Sequence, residues 1–236
     1  MKIIKYNKAL ILTFVLPILI NAGDVTGTVK FNGKPPKAKK IRMDADPVCS
    51  LAHQEAAYSE SFIMDANGNL ANVIVFLKGI EYSGDVPSEP VILDQQGCTY
   101  TPHVNGMMAG QDIKILNNDA TMHNIHGLPK KNKEFNFGMP KTLKEKTITF
   151  AIAEDAFAIK CDVHPWMKSF IQVFDHPYFA VTGSDGSFRL KNVPAGTYKI
   201  MAWQEKFGSK KMLSQEITVG EKESSVNFTF ERPKKK

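Results

Sequence analysis

The stretch "KCDVHPWMKS", residues 160–169, places a thiol, an imidazole and a thioether close together. Cys161, His164 and Met167 follow the spacing C-x2-H-x2-M, in a chain of 236 residues with only three cysteines and six histidines. The preceding "FAIKC" (157–161) alternates, so Phe157, Ile159 and Cys161 share one face of a strand. His164 and Met167 then fall on a tight loop stiffened by Pro165. A strand end and a short loop can turn three side chains toward one point, and a fourth ligand must come from elsewhere. Among His53, His103, His123, His126 and His176, the stretch "IKILNNDATMHNIHG" (113–127) singles out His123, which follows a strand and an Asn-Asn-Asp turn. Two imidazoles, one thiolate and a weak thioether describe a trigonal copper site with a long axial methionine. Zinc suits thioether poorly, and iron–sulfur clusters need more cysteines.

The N-terminus bears on compartment. "MKIIKYNK" carries three lysines and no acid, the twelve-residue apolar run "ALILTFVLPILI" follows, and then "NAGD". This is the pattern of a secretory signal peptide over residues 1–22, cut after Ala22, with an uncleaved anchor as the rival reading. The apolar run is too short for a comfortable membrane span, and no later segment is apolar enough for one. The expected mature protein is exported, periplasmic or similarly placed, with no stable membrane span. Loss of the three lysines takes the formal charge from +6 to +3. Lysine clusters at 130–135, 208–212 and in the tail 232–236 can steer an acidic partner or serve as solvated surface. No basic helix or aromatic platform accompanies them, so nucleic acid is not expected. Outside the cytosol spare thiols tend to pair. If Cys161 holds a metal, Cys49 and Cys98 remain, and a disulfide between them is expected; two separate free thiols are the alternative.

The mature chain reads as β almost throughout. "VTGTVKFNG" (25–33), "ANVIVFLKG" (71–79), "QDIKILNND" (111–119), "KTITFAI" (146–152), "SFIQVFD" (169–175), "GSFRLKNV" (186–193), "GTYKIMAW" (196–203), "SQEITVG" (214–220) and "SSVNFTF" (224–230) are short strands between Gly, Pro, Asn and Asp turns. Such a pattern indicates sandwiches or barrels. One short helix is expected in "CSLAHQEAAYSE" (49–60).

Two resemblances sharpen this all-β reading. From residue 176, Thr182, Gly186 and Phe188, then Pro194, Gly196 and Tyr198, follow the T-x3-G-x-F and P-x-G-x-Y runs of the carboxypeptidase regulatory-like, or transthyretin-like, small β-sandwich. "GDVTGTVKFNGKPP" (23–36) and "ANVIVFLKG" look like the first strands of the same module, which makes the centre of the chain an insertion; two consecutive domains are the alternative. "NNDATMHN" (117–124) together with C-x2-H-x2-M resembles the cupredoxins, the blue-copper proteins of Greek-key β-sandwich fold, and within them the amicyanin type with its short ligand loop. That likeness covers roughly residues 90–175. It implies one type 1 copper per chain on His123, Cys161, His164 and Met167, with Asn124 bracing the two ligand loops by hydrogen bonds. The expected division is a signal peptide (1–22), an N-terminal β region (23–89), a copper domain (90–175), a regulatory-like sandwich (176–231) and a basic tail (232–236).

The resemblance also implies that His164 lies near the surface as the exit for electrons, with an apolar "PWM" docking patch around it. His126 is expected not to bind metal; His53 and His103 have no assigned role. The function these calls imply is an exported carrier of single electrons between redox proteins, with a dehydrogenase or a cytochrome as partner. Copper storage, delivery or sensing is the alternative, as is a structural or carbohydrate-binding sandwich with a vestigial site. An enzyme is not expected: multicopper centres need H-x-H pairs, and the chain has none.

Overall fold

The computed structural model describes residues 21–232. The expected export signal, apart from its last two residues, and the end of the basic tail lie outside them. The described chain is all-β, with one helix of five residues and a short 3-10 turn. Among the described residues no helix is long and apolar enough to cross a membrane.

Four sheets form two sandwiches. In the first, the long strand Ala22–Asn32 pairs antiparallel with Ser187–Pro194 on one side and parallel with Ser224–Ser225 and Phe228–Glu231 on the other. The facing sheet runs Phe179–Val181, Ile74–Lys78, Gly196–Trp203, Leu213–Val219, antiparallel throughout. Strands from both ends of the chain therefore build this sandwich. Strands between residues 91 and 174 build the other. One of its sheets runs Thr99–Thr101, Val91–Gln96, Asp112–Asn117, Glu145–Thr149; the other runs Val104–Met108, Lys168–Phe174, Glu154–Lys160, His123–Gly127, Phe135–Met139.

Side-chain alternation explains how the sandwiches meet. In "NVIVFLK" the apolar run is unbroken because both faces of the strand are covered. Val73, Val75 and Leu77 point into the first core with Ile200 and Ala202. Ile74 and Phe76 point the other way and join Met201 and Trp203 against Val104 and Phe174 of the second sandwich. Gly106 lies on this junction, where an added Cβ would come within 2.6 Å of the Phe179 ring.

The residues of the two signature runs have local tasks in the first sandwich. Thr182 Oγ1 donates to Leu70 O (2.7 Å) and accepts from Val73 N (3.1 Å), tying two strands. Gly186 has φ +69°, and a Cβ there would come within 2.7 Å of Val29 O, so glycine is needed. Phe188 fills the core, and Tyr198 Oη donates to Pro194 O (3.0 Å).

The helix is shorter than expected and starts earlier, at Pro47–Leu51. Asp46 caps it, with Oδ1 accepting from Val48 N at 2.8 Å. It cannot run on to residue 60, because Ala57 O and Ser59 N bond to Ile41 and Lys39 instead. The segment 39–59 is thus a flap folded back on itself.

In the second sandwich, buried Glu154 holds the loop 130–132. It accepts from Lys130 N (2.7 Å), Lys131 N (3.0 Å) and Asn132 N (3.1 Å). Burial works against its charge, but the Asn132 side chain and these amides win and hold its pKa below the ordinary 4.5. A depressed folded pKa gives stability that is present above the ordinary value and lost as pH falls through the lowered one. Glu154→Gln is therefore expected to lower the urea midpoint at pH 7, and the gap from the native protein should narrow well below pH 4.5. A gap that widens with acid contradicts this role.

Candidate metal centre

The site lies at one end of the second sandwich, where a strand start meets a strand end. His123 opens the strand His123–Gly127, after a turn fixed by buried Asn117. Asn117 Nδ2 donates to Met139 O (2.9 Å), and its Oδ1 accepts from Asp119 N (3.1 Å). Cys161 follows directly on the strand Glu154–Lys160, its side chain in the same core as Phe157 and Ile159. The loop beyond closes on itself, with Met167 N donating to His164 O (2.8 Å) and Cys161 N to Met167 O (3.2 Å).

His123, Cys161 and His164 offer ligand atoms that all lie within 4.8 Å of one another, and all three residues are buried. The two Nδ1 atoms face each other at 2.9 Å, and Cys161 Sγ lies 3.8 Å from His164 Nδ1. Each Nε2 points outward to a carboxylate: His123 to Asp119 Oδ2 at 2.8 Å and His164 to Asp46 Oδ2 at 3.0 Å. A carboxylate acceptor calls for an N–H at Nε2, which leaves the Nδ1 lone pairs for the space they share with the sulfur. Met167 is buried beside the site in the same core.

The electrostatics match the geometry. Burial opposes charge on His123, yet Asp119 and Cys161 outweigh it and push its pKa up to about 9. Burial likewise works to raise the Cys161 thiol, but His123 and the amides of Asn124, His164 and Val163 prevail and hold it below its ordinary value. The pocket therefore eases loss of the thiol proton and holds a proton on His123, and an ion bound here would take the place of the proton at His123 Nδ1.

Asn124 ties the two segments. Its Oδ1 accepts from Asp162 N (2.6 Å) and Val163 N (3.2 Å), and its Nδ2 donates to Asn136 Oδ1 (2.8 Å). Its own N–H reaches Cys161 Sγ at 3.5 Å, and its carbonyl accepts from Tyr100 Oη at 2.8 Å.

Cys49 and Cys98 form a disulfide, which pins the flap beside the site. Cys49 Sγ lies 3.6 Å from His164 Nε2. The expectation of His164 near the surface as an exit for electrons is not met, because the flap covers it and the residue is 2% exposed. Asp46, at the helix cap of the flap, takes its outer nitrogen. The "PWM" patch is likewise divided. Pro165 is exposed, Trp166 is half-buried with Nε1 donating to Cys98 O (3.0 Å), and Met167 is buried.

The remaining histidines have other partners. His126 lies between Asp162 (2.8 Å) and Glu134 (3.1 Å). His53 meets Gly97 O (2.6 Å), His176 meets Leu77 O (3.0 Å), and His103 pairs with Glu205 (2.5 Å). Asp46 and Asp119 were missed from sequence. Asp119 stands four residues before His123, a spacing that could have flagged it; Asp46 is 118 residues from His164 and carried only the sign of a helix cap before Pro47.

Comparison with known proteins gives partial matches. A family model described as polysaccharide lyase family 4, domain II, matches residues 156–226, which span the end of the second sandwich and much of the first. A search of curated proteins returns no match. Among solved structures, a Cu-containing nitrite reductase from Thermus scotoductus SA-01 is 19% identical over 42% of this chain, with a TM-score of 0.35; the chain covers only 25% of that protein. A methionine-to-alanine mutant of amicyanin in its Cu(I) form is 18% identical over 42% of this chain and 98% of its own, with a TM-score of 0.32. A purple cupredoxin from Nitrosopumilus maritimus is 19% identical over 36% of this chain and 99% of its own, at 0.31.

Replacing Asn124 by alanine strips the acceptor from two amides of the ligand loop. It is expected to destabilise the metal-free protein by about 1–3 kcal/mol, read from denaturant unfolding. An unchanged midpoint contradicts the bracing role.

Proposed function

We propose that this chain is an exported type 1 copper protein that carries single electrons between redox proteins. One observation carries the reading: two imidazole Nδ1 atoms and one thiol converge in a buried pocket, each ring anchored by a carboxylate on its far side. That donor set suits copper in both oxidation states. His123, Cys161 and His164 would hold the ion, with the buried Met167 thioether as a weaker donor. Bound there, copper would supply a one-electron couple and nothing else, since the buried pocket leaves little room for substrate.

The chain's own residues supply rigidity. Asp119 and Asp46 fix both rings, Asn124 fixes the loop, and the disulfide fixes the flap that bears Asp46. Ligands held this firmly change little between the two charges of the ion, which favours rapid transfer and retention of the metal over its delivery elsewhere. We read the chain as a carrier rather than an enzyme. We assign the first sandwich to the carboxypeptidase regulatory-like type, on the placement of Thr182, Gly186, Phe188, Pro194 and Tyr198, and take it as a platform for the copper sandwich. The disulfide accords with an oxidising compartment.

Loading with Cu(II) is expected to give an intense visible band from the cysteine–copper bond, one copper per chain and reversible one-electron cycling. Cys161→Ser should abolish the band. A colourless oxidised protein, or an unaltered band in the serine variant, defeats this reading.

A further inference from the structure

We infer that electrons enter and leave through Trp166, in a basic cleft beside the ligand loop, and that this cleft docks an acidic surface patch of the redox partner. The inference rests on the electron-carrier reading and names its route.

The direct route is closed. His164 is sealed by Asp46, the disulfide and the helix Pro47–Leu51, and His123 is fully buried behind Asp119. A partner cannot touch either imidazole edge. Trp166 is the ring next in line: its centroid lies 5.1 Å from that of His164, tilted by 43°. The bond from its Nε1 to Cys98 O fixes its position. It is only half-buried, and it lines a cleft of about 500 Å³.

The cleft lies between the flap, the ligand loop and Glu205 of the first sandwich. Lys39, Lys40, Arg42 and Lys168 line it against two carboxylates, Glu60 and Glu205. Glu205 is already engaged by His103 and lies 3.8 Å from Lys168. Lys39, Lys40 and Arg42 are exposed and make no ion pair among the described residues. A cationic rim around the accessible ring attracts and orients a negatively charged partner and speeds encounter at low salt. The transfer is one electron from the partner's reduced centre to the oxidised metal, or the reverse, with no bond made or broken and no proton moved.

Two measurements test this, one without copper. The chain has two tryptophans, and Trp203 is buried, so quenching of fluorescence in the metal-free protein reports on Trp166. The ratio of iodide to caesium quenching is expected to exceed that of free N-acetyltryptophanamide several-fold. Lys40→Glu with Arg42→Glu should remove most of that preference, Lys191→Glu on the other sandwich should not, and poly-glutamate should shield the ring from iodide. A ratio no higher than that of the free compound overturns the basic cleft; a higher ratio without shielding by poly-glutamate overturns the acidic partner surface.

In the loaded protein, reduction by hexacyanoferrate(II) at low ionic strength should slow about tenfold in the charge-reversed variant, and the difference should shrink as salt rises. Trp166→Leu should slow it with the visible band unchanged, while Trp166→Phe, which keeps a ring, should retain most of the rate. A leucine variant that reacts at the native rate overturns the route. A protein that binds no copper defeats the carrier reading instead, and the quenching results still judge the cleft.

Discussion

Two carboxylates decide where the imidazoles point. Asp119 and Asp46 each take the outer nitrogen of one histidine, and the inner nitrogens are then left facing each other and Cys161. Without those partners neither outer nitrogen has an acceptor, and the tautomer of each ring is no longer set. Both carboxylates are themselves held. Asp119 accepts from Gly97 N and Cys98 N, and Asp46 accepts from Val48 N and Thr121 Oγ1. The Cys49–Cys98 disulfide joins the two systems, since each half-cystine lies beside one of the carboxylate–imidazole pairs.

The fold explains why these groups meet. Cys161 and His123 sit at matching ends of neighbouring strands, which pair through Ile159–Gly127 and Lys160–His126. Asn124 fixes the offset between those ends. The flap is different: it comes from the N-terminal part of the chain and reaches the site only because the strand Ala22–Asn32 before it and the strand Ile74–Lys78 after it are anchored in the other sandwich. The junction of Ile74, Phe76, Met201 and Trp203 with Val104 and Phe174 holds the two sandwiches together, so the anchor and the site share one packed body. The architecture thus carries a covering element to a site that it does not itself contain.

Local signals were legible in the sequence and distant ones were not. The spacing of Cys161 and His164 and the turn before His123 marked three groups that lie together, because strand ends and tight turns are written in a few adjacent residues. The Cys49–Cys98 pairing followed once Cys161 was set aside. The strand character of "NVIVFLK" was plain, but its lack of alternation acquired a cause only when both faces proved covered. The sealing of His164 was not legible. It depends on Asp46, whose local sign is that of a helix cap, and no pattern near "CDVHPWMKS" shows that a distant flap lies across it. The same folding-back of residues 57–59 onto 39–41 cut short the helix expected to reach residue 60.

X-ray absorption at the copper edge of the loaded protein examines the central claim most directly. The account expects a first shell of one short copper–sulfur bond and two imidazole nitrogens, retained with little change on reduction. A shell of nitrogen and oxygen alone, or one that loses an imidazole when the metal is reduced, contradicts it.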